Sequence, residues 1–468
     1  MRSYWSDLFR SSGLIDRKTY AITGILLFIL KYNLDRLLVW KFLGKIWHPW
    51  SYLVLDTSQA SGDVMSANLW FWVLMVAIAV PFLWIGISLT LRRLRAVGAS
   101  WWPALIFFVP FINILFFMIL CLLPNRDNAP QLGAEFAAQS DSRLKKLIPK
   151  DKFASALVAA TLTAGGGLAM MAISTNVIEE YGFGLFMGVP FAVGFLAATI
   201  HGFHDARSVG SCITVALLAN LLLAGLIFMF ALEGLICLLM TAPLGAILGV
   251  IGGLFGHALQ STFKRSSSPT AVMMCLPIGL AFLMGWESSA DVPPPLYAAQ
   301  TEVMIDAPPE TVWKHVIEFP DIPPPDEWYF ATGIAYPLRA RIDGTGPGAI
   351  RYCEFSTGTF VEPIETWDSP NLLRFAVTQN PTPLEEWSIY SKVTPPHVEG
   401  FFQSERGEFR LIPEVGHRTR LIGTTWYRNN LWPAAYWELY SDPIIHRIHL
   451  RVLDHIKGLS EQGEFKAS

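Results

Sequence analysis

Charge is what this chain has least of. Only 16% of its 468 residues are Asp, Glu, Lys or Arg, and 52% are hydrophobic; an ordinary soluble domain carries about 25% charged residues. The shortfall is concentrated before residue 290, which marks membrane spans rather than one large soluble core. A net charge of −3, with no basic stripe interleaved with aromatics, argues against a nucleic-acid partner. Cysteine is scarce as well, at five residues: Cys121, Cys212, Cys237, Cys275 and Cys353. Four sit in apolar stretches, where a thiol behaves as a small hydrophobe, and the single one beyond residue 290 cannot form an internal disulfide there. No C-x-x-C pair occurs, so the spacing of a structural zinc site is missing, and the sequence assigns no metal and no cofactor. There is no G-x-S-x-G, and Cys353 has no forecast His partner, so no catalytic residue is assigned. The apolar half also lacks a midplane chain of Asp, Glu or Arg and broken-helix pairs in matching halves, which weighs against a pump or carrier.

What is present changes character near Trp286. A spanning helix needs about 20 mainly apolar residues, and segments 20–40, 69–91, 101–123, 153–174, 183–203, 209–232, 235–259 and 271–286 meet or approach that. They predict an all-α transmembrane bundle of about eight spans. Lys31, Asp35 and Arg36 interrupt the first. Part of 37–55 reads as interfacial, with Trp40, Trp47, Trp50 and Tyr52 at headgroup level. The basic N-terminus is followed by no small-residue cleavage site and reads as a retained anchor. The expected organisation is a membrane domain over 1–135, a second helix group over 150–287, a proline-rich link over 288–296 and a soluble domain over 297–468.

Lys and Arg in short loops set orientation. Arg143, Lys145, Lys146, Lys150 and Lys152 place their loop in the cytoplasm, the loop 176–182 carries only Glu179 and Glu180, and Lys264 with Arg265 returns the chain inside. That alternation puts the residues after Trp286 on the extracytoplasmic side. A further membrane element within 37–55 is required to reconcile it with the basic N-terminus and with Arg92, Arg93 and Arg95. Glycines recur four apart at Gly184/Gly188, Gly245/Gly249 and Gly252/Gly256. Such spacing lets helix backbones approach closely, within one bundle or across a homo-oligomer interface. His201, His204 and Asp205 cluster at a span end, where water reaches them.

In the first third, Arg92, Arg93, Leu94, Gly98, Ser100, Trp101, Trp102, Pro110, Pro124 and Asn125 form a pattern. With it, residues 8–130 resemble a small bacterial inner-membrane family of unknown function. Arg95-Ala96 stands where that family has His-Asp. The resemblance implies residence in a bacterial inner membrane, multi-pass, and no activity. Physically the three arginines and two tryptophans read as an interfacial belt.

After the link SSADVPPP, alternation over 297–305 predicts a strand. Asp306 before Pro308-Pro309 fits a helix start, and Thr311, Val312, His315, Val316 and Phe319 follow at helical spacing. Strands are predicted near 339–343, 349–355, 359–367, 372–378, 400–412 and 418–428, divided by turn signals such as Asp343-Gly344 and Ser369-Pro370. Helical spacing returns over 432–459, with Ser441-Asp442-Pro443 expected to cap and restart the helix or kink it. A curved antiparallel sheet around a long C-terminal helix gives an α+β architecture with an internal space between the two.

The opening TEVMIDAPPETVWKHVIEF resembles the START-like, helix-grip superfamily (SRPBCC, polyketide cyclase/dehydrase and lipid transport). In that superfamily a strand ending in Ala-Pro-x-Glu-x-Val-Trp leads into the first helix, as Ala307, Pro308, Glu310, Val312 and Trp313 do here. Thr419, Arg420, Leu421 and Tyr427, then a terminal helix ending HIKGLSE, continue the likeness across 297–462. It implies a hydrophobic or lipid-like ligand, and the superfamily holds binding proteins, cyclases and hydrolase activators alike. Fold does not choose between them.

Candidate ligand-binding residues are aromatics and isolated polar groups on strands and terminal helix: Trp328, Tyr352, Glu354, Glu362, Trp367, Trp387, Trp426, Tyr427, His446 and His449. Trp426 and Tyr427 must point oppositely on a regular strand. Glu354 and Glu362 are the carboxylates best placed for acid–base work, since apolar surroundings raise a carboxyl pKa. His449 shares a helix face with Ile445, Ile448, Val452 and Ile456 and is expected to look into the sheet. The sequence therefore favours a membrane-anchored domain binding a hydrophobic or lipid-like molecule close to the bilayer. A tethered enzyme on a lipid- or polyketide-like substrate, and a regulatory protein with a partner-binding domain, are the alternatives.

Overall fold

The computed structural model describes residues 8–44, 46–47, 52, 69–109, 111–123, 125, 147–265, 269–289, 293–393 and 395–465. Trp50, Pro110, Pro124, Arg143, Lys145 and Lys146, with most of 48–68, lie outside the described residues. The chain forms two units, and the second takes in Ala231–Met240 together with Pro293–Ser468.

Among the described residues, helical structure occupies most of each of the eight apolar segments. The first unit runs through α1 (Arg17–Leu43), α2 (Leu69–Val97), a 3-10 turn (Trp102–Phe108), α3 (Ile112–Leu122), α4 (Lys152–Ile173), α5 (Val189–His201), α6 (Val209–Met229), α7 (Leu235–Arg265, of which the part from Thr241 belongs here) and α8 (Pro269–Ser288). Five stretches among the described residues are long and apolar enough to cross a membrane: Val73–Val97, Lys152–Ile178, Gly184–His201, Val209–Met229 and Leu235–Gln260. Ile112–Leu122 and Cys275–Ser288 are shorter apolar helices. The segment 101–123 is divided because Phe111 takes a left-handed backbone (φ 62°) ahead of α3. In α1, Asp35 is buried and accepts from Lys31 and from the Tyr52 hydroxyl. Large apolar side chains such as Leu26, Val76, Leu221, Ile247 and Phe282 face outward, a surface that lipid covers.

Arg93 departs from the interfacial belt expected of it. It is fully buried, and its Nε donates to Leu120 O at 3.0 Å. Nη1 donates to Ile15 O at 3.3 Å and to Asn125 Oδ1, and Nη2 donates to Leu123 O. The last carbonyls of α3 have no intrahelical donor, and the guanidinium fork supplies them. Trp101 stays exposed, as a belt residue would be. His201 is buried between Ser155 and Ser211, whose hydroxyls lie 3.0 and 2.8 Å from its two ring nitrogens. The glycine spacing acts inside the bundle: a Cβ on Gly252 would lie 2.2 Å from Phe191 O, and one on Gly256 2.7 Å from Phe195 O. No atom lies within 4 Å of that position on Gly245.

In the second unit the expected order holds. β1 (Leu296–Ile305) leads into α9 (Pro309–Ile317), then β2 (Pro337–Asp343), β3 (Ile350–Phe355), β4 (Gly358–Asp368), β5 (Leu372–Ala376), a short pair β6 (Glu386–Ser388) and β7 (Ser391–Val393), β8 (Phe402–Glu414), β9 (Arg418–Asn429) and α10 (Ala434–Phe465). Seven strands form one sheet in the order β1-β9-β8-β5-β4-β3-β2, and every neighbour pair is antiparallel. Register shifts at Pro337/Arg339, Ile364/Thr366 and Ser404/Arg406 are bulges, which bend strands and increase local twist. Gly407 lets the curl tighten, because a Cβ there would meet the Phe375 ring at 2.3 Å. α9 and α10 cover the concave face. The core between them joins Val312, Val316, Leu373, Leu421, Leu453 and Ile456; burying each apolar side chain is worth about 1.5–3 kcal/mol. Helix α10 runs unbroken through Pro443 rather than restarting there. The Ser441 hydroxyl donates to Trp437 O at 3.2 Å in the turn before it.

Candidate functional site

The curled sheet and α10 do not meet along their whole length, and a cavity of about 220 Å³ lies between them. Its walls are mainly apolar, with Phe355, Phe360, Phe375 and Phe409 from the strands and Ile445 and Ile448 from α10 among them. Met240, just before the chain leaves this unit, also lines it. Its carbonyl accepts from the hydroxyls of Tyr436 and Tyr440.

Strand alternation decides what else reaches the interior. On β3, Arg351 and Cys353 are buried, while Tyr352 and Glu354 point the other way. Arg351 is 1% exposed and Glu362, opposite it on β4, is 6% exposed. Arg351 Nη1 donates to Glu362 Oε2, and Nε donates to Ile317 O at 3.3 Å. The rings of Phe319, Phe375 and Phe409 stand 5.5–5.7 Å from the guanidinium, so the cation is shared between one carboxylate and three π-faces. Burial raises the Glu362 carboxyl, and the Arg351 charge opposes the rise. Burial pushes the Cys353 thiol up to about 12, which leaves it protonated and not nucleophilic near neutrality.

His449 lines the cavity edge. Its Nδ1 lies 3.0 Å from Thr301 Oγ1 and its Nε2 2.8 Å from Thr425 Oγ1. Both ring nitrogens are engaged, and burial lowers its pKa to about 4. Two other polar lining groups are likewise matched within the protein. Asn380 Oδ1 accepts from Ser404 N at 2.8 Å, and Asn429 Oδ1 accepts from Leu431 N at 2.9 Å.

Of the ten residues singled out from sequence, Glu362 and His449 line this cavity and the other eight do not. Tyr352 and Glu354 are on the convex face. Tyr352 lies under Arg341 at 4.4 Å, and Glu354 pairs with Arg339 and Arg341, which hold its carboxyl below the usual range. Trp367 packs edge-on to Trp313 at 5.8 Å, against the core. Trp328 and Trp387 are exposed. Tyr427 is buried between Tyr297 and Phe402 with its hydroxyl on Ser441 at 3.0 Å, and Trp426 faces oppositely as strand geometry requires. His446 binds Thr301 Oγ1 at 2.6 Å and sits near Asp442. Arg351 and the cavity-lining pair Cys237 and His397 were not foreseen. Strand alternation flags Arg351 only once the inward face is known.

A curved seven-stranded antiparallel sheet closed by one long C-terminal helix, with a cavity between, settles the architecture. The second unit is a helix-grip fold. Residues 8–134 match the family described as "Protein of unknown function (DUF805)". The chain is similar to a solved aromatase/cyclase from a Streptomyces species, at 14% identity over 36% of this chain and 94% of that one, with a TM-score of 0.25. It is also similar to norcoclaurine synthase from Thalictrum flavum in complex with a transition-state analogue, at 14% identity, 37% and 99% coverage and a TM-score of 0.25. No curated protein sequence matches the chain.

Proposed function

We propose that this chain is a membrane-anchored binding protein whose helix-grip unit takes up an apolar, lipid-like molecule from the neighbouring bilayer. The observation that carries the reading is the cavity itself: aromatic and aliphatic walls, with Arg351, Glu362, Asn380, Thr425 and His449 among its lining residues already bonded within the protein. Such a site recognises shape and apolar surface. Catalysis is the weaker reading, because the Cys353 thiol is held protonated, His449 has both nitrogens engaged and Glu362 is paired. The alternation of Lys and Arg between loops favours an extracytoplasmic position for this unit. Tethering beside the bilayer raises the effective concentration of a membrane-borne ligand.

The test is organic extraction of the full chain, purified in detergent, followed by mass spectrometry of the extract. Ile448→Trp is compared with the unchanged protein, since the indole would occupy the cavity from α10. A stoichiometric apolar molecule carried by the unchanged chain and at least tenfold depleted in the variant is the expected result. Equal recovery from both would overturn the reading.

A further inference from the structure

The segment Ala231–Met240 belongs by its contacts to the helix-grip unit, and it carries Glu233 and Cys237 four residues apart, at the entry to α7. Opposite stand His397, on a 3-10 turn (Pro396–Val398), and Glu386, the first residue of β6. One donor atom each from Glu233, Cys237 and His397 lies within 4.8 Å of the other two. Cys237 Sγ is 3.1 Å from His397 Nε2, and Glu233 Oε2 is 3.4 Å from His397 Nδ1. Glu386 is 2% exposed, and neither of its carboxylate oxygens has a hydrogen bond of ordinary geometry among the described residues. It faces the Cys237 thiol. Gly234 makes this approach feasible, because a Cβ there would lie 1.8 Å from Glu386 Oε2.

Two buried carboxylates share this space with a single imidazole. Burying an uncompensated carboxylate is costly. A thiolate, an imidazole and carboxylates are the donor set of a borderline-soft divalent cation. Zn–S of about 2.3 Å and Zn–N of about 2.0–2.1 Å at a tetrahedral angle put sulfur and nitrogen roughly 3.5 Å apart. The Cys237–His397 contact, at 3.1 Å, reaches that with a shift of a few tenths of an ångström.

We infer that Glu233, Cys237 and His397, with Glu386 closing the fourth position, form a zinc site. The bound cation would clip Ala231–Met240 to the turn at His397, and since Cys237 and His397 both line the cavity, it would fix part of the cavity wall. Binding displaces the thiol proton, so affinity rises with pH. The site is independent of which apolar molecule the cavity holds.

The experiment uses the full chain in detergent, stripped with a chelator, dialysed against Zn²⁺ or Co²⁺ and assayed for metal content and absorbance. The expected result is one cation per chain and a cobalt–thiolate charge-transfer band, both lost in Cys237→Ser and kept in Cys353→Ser. Glu386→Gln, close in shape, should bind at least tenfold more weakly, and it decides the matter if Cys237→Ser fails to fold. Absence of stoichiometric metal in the unchanged chain, or full metal content in both Cys237→Ser and Glu386→Gln, would overturn the inference.

Discussion

Arg351→Met tests whether the inner ion pair is a matched unit. The substitution keeps a stem of similar length against Phe319, Phe375 and Phe409 but removes the charge facing Glu362 and the donor to Ile317 O. Glu362, only 6% exposed, is then left with an uncompensated carboxylate. Breaking such a pair by removing one partner costs about 3–5 kcal/mol, whereas replacing both by apolar groups of similar volume is often neutral or stabilising by about 1–4 kcal/mol. Arg351→Met is therefore expected to lose about 3–5 kcal/mol at pH 8, and Arg351→Met/Glu362→Leu to recover most of it. The sign with pH follows. In the single variant the folded-state pKa of Glu362 lies above its unfolded value of about 4.3, so protonation favours the folded form and the deficit shrinks as pH falls toward 5. Urea unfolding of the full chain in detergent, followed by tryptophan fluorescence, reads these differences. A double variant as unstable as the single one, or a single variant with unchanged stability, would refute the coupling.

His449 makes a second pH prediction. Its folded pKa of about 4 lies below the ordinary histidine value of 6.5, so the unfolded chain binds the extra proton between those limits. Stability contributed by the neutral ring is complete above pH 6.5 and declines toward pH 4, by up to about 3 kcal/mol. The urea midpoint should fall more steeply between pH 7 and 4.5 in the unchanged protein than in His449→Gln, and parallel profiles would contradict the assignment. For the side of the membrane, Val415 is 88% exposed at the β8–β9 turn. A cysteine there should react with an impermeant maleimide added to intact spheroplasts; protection until lysis would place the unit in the cytoplasm.

Much of the fold was legible because two periods coexist in the chain. Apolar runs of about 20 residues and period-two alternation are strong signals, and the Asp306 to Glu310 corner marked the step from β1 to α9. The pair β6 and β7 was missed because three-residue strands beside Pro381, Pro383 and Pro395 are too short to show alternation. The site was harder to read. Alternation separates Arg351 and Cys353 from Tyr352 and Glu354 but does not say which pair is inside, and charged strand residues ordinarily face water. The aromatic candidates were chosen for chemistry, and Trp328 and Trp387 fell on exposed loop and short-strand positions. Nothing local joins Cys237 to His397, which only the fold brings together.

That long separation has a consequence for biosynthesis. Cys237 leaves the ribosome 160 residues before His397, which at about 5–20 residues per second is roughly 8–30 s. During that interval the stretch from Ala231 to Met240 has none of its partners, and the remainder of α7 and then α8 must be completed first. A fragment beginning at the proline-rich link would never receive this stretch. Its cavity would open where Cys237 and Met240 should stand, so expressing the C-terminal region alone would yield a cavity with an altered wall.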